Sequence, residues 1–110
     1  MNVDRESLVA RQVAEIIIGY VDFLEIPDED IVNPDNAMQM MEYLAAQLEG
    51  LEKGFLRQLV DAFYAIADES TGETREAVRN IPHGFYLEEA LAADDPVRLA
   101  ELEAIRDARD

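Results

Sequence analysis

Apolar residues in this chain recur at spacings of three and four, and nowhere do they alternate with period two for long enough to make a strand. Ala37, Met41, Leu44, Leu48 and Leu51 keep this rhythm, as do Leu56, Leu59, Val60, Phe63, Ile66 and Ala67. Such a period places apolar side chains along one face of a helix. It predicts an all-α protein: a small single-domain bundle of four to six helices with short connections, spanning residues 1–110, with sequential neighbours mostly antiparallel.

Breaks between the periodic stretches carry their own signals. A first helix is expected from about Asp4 to Leu24, with Val9, Val13, Ile16, Tyr20 and Leu24 on one stripe, flanked by Ile17 and Val21. Near its end it is apolar on almost every side, which suits a central helix or one sharing a face with another chain. Pro27 ends it, since proline cannot continue a helix and restricts the residue before it. Asn33-Pro34 opens the second helix, with Asn as N-cap, Pro at the first helical position and Asp35 near the positive helix end. That helix runs to about Glu49, and Gly50 suits its C-cap.

A third helix is expected over about Glu52 to Asp68. Ser70 followed by Glu73 fits a capping box for a fourth, from about Glu73 to Asn80, and Thr71 with Thr74 offers other registers. Ile81-Pro82-His83-Gly84 reads as a turn, and a fifth helical piece as about Tyr86 to Ala93. Asp95-Pro96 repeats the cap-and-proline pattern. The last helix, residues 96–110, either packs on the bundle or projects as an arm, with Arg106 and Arg109 favourable at its negative end.

Charge sharpens the picture. The formal net charge is -16, and no basic residue lies between Arg11 and Lys53. Those positions hold ten acids, from Glu15 to Glu52. Direct nucleic-acid binding is disfavoured, because phosphate recognition needs clustered Lys and Arg. Anionic membrane surfaces are disfavoured for the same reason, and no apolar run approaches the roughly 20 residues of a membrane span. Met1-Asn2-Val3-Asp4-Arg5-Glu6 lacks a secretory pattern. With no cysteine there is neither disulfide nor thiolate metal site, and a cytoplasmic protein is expected.

Catalytic and cofactor motifs are not found. Asp28-Glu29-Asp30 with Asn33 and Asp35 is the densest oxygen cluster, yet it departs from a calcium loop at Val32, Asn33 and Gln39. His83 is the single histidine and Ser7 and Ser70 the two serines, so no nucleophile–base constellation suggests itself. Glycines are scattered singly, with no phosphate loop. No cofactor and no metal are expected. Met41 lies on the apolar stripe, with Met38 and Met40 to either side of it, and methionine most often serves as a core filler. Acyl carrier proteins share the charge and helix count, but here Asp68-Glu69-Ser70-Thr71 stands where their Asp-Ser-Leu motif would be. Colicin immunity proteins are also small, acidic and helical, but their paired tyrosines are absent, with Phe63-Tyr64 and Phe85-Tyr86 only loosely similar.

The expectation is therefore a non-enzymatic acidic helical domain that binds a basic partner protein. Its most concrete form is an immunity- or antitoxin-type inhibitor. The contact residues would be Asp28, Glu29, Asp30, Asp35, Glu42, Glu49 and the anchor Tyr43. One alternative is a structural or regulatory homo-oligomer, a homodimer through the first helix. Another is a metal-dependent protein using the acidic loop.

Overall fold

A computed structural model describes residues 2–25 and 30–109. Among them the chain forms six helices and no strand: α1 (Asn2–Leu24), α2 (Pro34–Glu49), α3 (Lys53–Asp68), α4 (Gly72–Gly84), α5 (Leu87–Leu91) and α6 (Pro96–Arg109). The all-helical bundle expected from the periodicity is the fold observed, with short connections.

The central helix is α3, not α1. Leu56, Leu59, Val60, Phe63 and Ala67 are all buried on one face of α3, and α1, α4 and α5 pack around it. Full burial of each large side chain here stabilises the fold by about 1.5–3 kcal/mol. Its start is held by Glu52, whose two carboxylate oxygens accept from the backbone N–H groups of Gly54 (2.8 Å) and Phe55 (2.9 Å). Those bonds hold the Glu52 carboxyl below the usual glutamate range.

α1 meets α3 through a stripe one residue on from the expected one. Ala10, Ala14, Ile17 and Val21 are buried, whereas Ile16 is 71% exposed and Val9 is also exposed. Both stripes have the same spacing. The small side chains of Ala10 and Ala14 let two helices approach closely, so packing selects the stripe that bulk alone does not favour.

Asn33 caps α2 as expected, accepting from the N–H groups of Asp35 (2.9 Å) and Asn36 (3.2 Å). Only Ala37 and Leu48 of α2 are fully buried, with Met41, Leu44 and Ala45 packed against the core in part. Gly50 ends the helix in a right-handed conformation and gives its N–H to the carbonyl of Ala46.

Two local expectations are corrected. Ser70 does not open α4: its hydroxyl donates back to the carbonyl of Ile66 (2.8 Å), and Thr71 takes the cap position without a side-chain bond. Gly72 follows at φ +60°, a conformation in which a side chain would be strained. Nor does α4 stop at Asn80. It continues through Pro82 to Gly84, because Val78, Ile81, Pro82 and the following Phe85 are all buried on one side. That burial outweighs the hydrogen bond that proline cannot donate. Tyr86, in a left-handed conformation (φ 57°), then swings the chain into the single-turn α5.

α6 packs on the bundle rather than projecting. Leu102 is buried, and Asp95 accepts from the N–H of Arg98 (3.1 Å) at the helix start. Arg106 fastens the far end. It donates to Glu89 (2.8 Å) and to the carbonyl of His83 (3.0 Å), and it stacks on the Tyr86 ring at 3.8 Å.

Candidate partner-binding face

The ion pairs divide the molecule. Arg57 bridges Asp61 (2.8 Å) and Glu88 (2.7 Å), and Arg98 bridges Glu88 (3.5 Å) and Glu101 (3.2 Å). Lys53 pairs with Asp94, Arg75 with Asp68, and Arg106 with Glu89. Arg11 reaches from α1 to a bidentate pair with Glu69, which holds that carboxyl low. Burial works against the charge on Arg57, but its bonds to Asp61 and Glu88 outweigh this and raise its pKa.

Nothing comparable occurs on α2. Asp35, Glu42 and Glu49 enter no side-chain hydrogen bond or ion pair among the described residues. They are seven residues apart, two turns each, and so form one stripe over about 21 Å of helix, drifting only about 20° per step. Tyr43, 63% exposed, projects beside Glu42 on the neighbouring flank together with Met40, while Met38 (65% exposed) lies one turn before Glu42. Met41 is half-buried core as expected, but Met38 and Met40 are exposed.

Of the residues expected to make the contact, Asp35, Glu42, Tyr43 and Glu49 thus share the outer side of α2. Asp30 is exposed in the approach to that helix. Asp28 and Glu29 lie outside the described residues.

Beside this stripe runs a groove that sequence reasoning missed. α1, α2 and α4 enclose about 300 Å³ over a floor that includes Val21, Met41, Ala45, Ile81 and Phe85. Glu25 and Glu42, both exposed, also line it. Through Val21, Glu25, Ala77 and Ile81 it joins a smaller hollow of about 210 Å³ bordered by Asp22 and Glu73. No basic side chain lines either part among the described residues. No local motif could reveal it, since Glu25 and Phe85 line one groove only because α4 runs on through Pro82.

A larger cleft of about 600 Å³ separates α4 from α6 and is different in character. Arg98 and Arg106 line it, but each is engaged with a carboxylate, and Arg109 donates to Asn80 (2.8 Å). His83 lies half-buried here, with Nε2 3.2 Å from a guanidinium nitrogen of Arg106. The guanidinium can only donate, so Nε2 is the acceptor in this contact. Burial, followed by the charge of Glu88, raises the Tyr64 phenol in the same cleft.

No three His, Asp or Glu side chains converge to hold a metal ion among the described residues, and no described helix is long and apolar enough to cross a membrane. Compared with models of protein families, with curated proteins and with solved structures, the chain matches none.

Proposed function

We propose that this is a non-enzymatic acidic module that binds a basic partner protein through the outer side of α2. The observation that carries the reading is the stripe Asp35–Glu42–Glu49, which has no cation of its own among the described residues, whereas α1, α3, α5 and α6 each hold at least one acid in an ion pair. Exposed Tyr43, Met38 and Met40 on the same helix supply the apolar contact area that a charged stripe lacks. Opposite charge on the partner would speed association and help exclude wrong partners. An immunity- or antitoxin-type inhibitor covering a basic site is the most concrete form of this role.

The test is affinity capture from native lysate at low and physiological salt, with wild type and the Asp35→Asn/Glu42→Gln/Glu49→Gln variant. Capture that falls with salt and is lost in the variant supports the reading. Capture indifferent to both removes the electrostatic mechanism.

A second reading is favoured by α1. Val9, Ile16 and Phe23 lie seven apart on one exposed flank, at 43%, 71% and 51% exposure. This is the surface that a two-fold helix contact would cover. Net charge opposes it, since two copies at -16 repel. Sedimentation at high protein concentration decides: a dimer broken by Ile16→Asp supports the homo-oligomer, and a clean monomer rules it out.

A further inference from the structure

We infer that the groove between α1, α2 and α4 seats a long-stemmed cationic side chain, arginine or lysine, presented by the partner. This rests on the acidic-partner reading above and names the point where that partner is gripped.

The apolar floor and the carboxylates call for different chemistry. Val21, Met41, Ala45, Ile81 and Phe85 offer apolar surface, while Glu25 and Glu42 offer two carboxylates that nothing in the described protein neutralises. A purely apolar guest would strip water from both carboxylates with no compensation. A small hydrated cation would leave the floor uncovered. A side chain with a methylene stem and a charged head satisfies both, its stem on the floor and its head between the carboxylates. Asp22 and Glu73 around the adjoining hollow extend the same negative field.

Gly84 lines the groove. A β-carbon there would meet nothing within 4 Å, and the backbone is not in the left-handed region. Glycine is thus required neither by packing nor by conformation, and a larger residue at this lining position has open space to occupy.

The experiment is methyl NMR on the full chain, reading the Ala45 and Ala77 signals that border the two hollows. The probes are Nα-acetyl-arginine amide, guanidinium chloride as head alone, and Nα-acetyl-norleucine amide as stem alone. The arginine derivative is expected to shift both methyls saturably, with at least tenfold higher apparent affinity than either half. Glu25→Gln/Glu42→Gln should lower that affinity at least tenfold. Gly84→Leu, which keeps both charges, should abolish it while the helical circular-dichroism signal is retained. An equal response to guanidinium alone or to norleucine alone, or an unchanged response in either variant, overturns the inference.

Heptalysine separates this failure from failure of the broader reading. If it binds salt-sensitively and Asp35→Asn/Glu49→Gln weakens it, while the arginine derivative leaves Ala45 and Ala77 unmoved, the groove is wrong and the acidic face stands. If the arginine derivative binds as described and heptalysine does not, the groove stands and the outer stripe is wrong.

Discussion

The α4–α6 cleft and the α1–α2–α4 groove are both lined by glutamates, but only the cleft is also lined by arginines. In the cleft each of Glu88 and Glu89 meets an arginine, and the pairs join α3, α5 and α6 into one network. Along the groove and the α2 stripe, Glu25, Asp35, Glu42 and Glu49 meet none. Acid content therefore does not distinguish the two regions; the placement of cations does. A carboxylate tied to a partly buried guanidinium has a structural use. One left to solvent on a helix with no basic residue, as Glu42 and Glu49 are, contributes only repulsion unless something outside the chain uses it, whereas Asp35 is favoured by the positive end of α2.

Packing differs along the same divide, and it offers the strongest test. Phe63→Ala, in the wholly buried face of α3, should cost about 3–5 kcal/mol in denaturant unfolding. Met38→Ala on α2 should stay within about 0.5 kcal/mol, because its side chain faces solvent. Similar costs would mean that α2 is as deeply integrated as α3, and the contrast would collapse.

Next in size is the network itself. Glu88→Ala removes the bridge between Arg57 and Arg98, and its carboxylate is only 17% exposed. A loss of about 1.5–3 kcal/mol is expected, the range for hydrogen bonds to charged groups. Faster hydrogen exchange in α6 than in α1 should accompany it. A neutral result would make these pairs ornamental.

Acid titration probes the divide without a change in packing. The Glu52 and Glu69 carboxyls lie below the ordinary range when folded, held by the N–H groups of Gly54 and Phe55 and by Arg11 respectively. Their contribution is present above the unfolded value and is lost over the interval in which pH falls from there through the lower folded one. The thermal midpoint of wild type should fall over that interval. Glu52→Gln or Glu69→Gln should flatten the fall, as followed by circular dichroism. An acid limb unchanged in both variants would show that these two contacts do not differ from the unpaired acids.

Smallest is the converse substitution. Glu42→Gln should leave stability unchanged or raise it by up to about 0.5 kcal/mol, since it removes a repelled charge. A loss of about 1 kcal/mol or more would reveal an intramolecular partner for Glu42 and end the distinction.

Much of the architecture was legible because helices announce themselves locally. Asn33-Pro34 and Asp95-Pro96 mark helix starts through bonds to residues two or three positions away. The face of α3 is unambiguous because one side is bulky throughout. Errors came where two local solutions were equal and a distant neighbour chose between them. On α1 the stripes through Ile16 and Ile17 have the same spacing, and close approach to α3 selected the one carrying alanines. At Pro82 the local rule for a break was overridden by burial of Ile81, Pro82 and Phe85.

The candidate contact region shows the same limit. By itself, the sequence determined that the chain is helical, that residues 12–52 carry no cation, and that Glu42 and Glu49 stand on one face, because composition and period are local properties. Only the tertiary structure decided that Glu52 is engaged as a cap, and that Glu25 joins Glu42 across an apolar groove floored in part by Ile81 and Phe85. It also decided which acids the arginines reach. Those outcomes depend on which helices lie side by side, and that depends on the packing of whole faces rather than on any short stretch of chain.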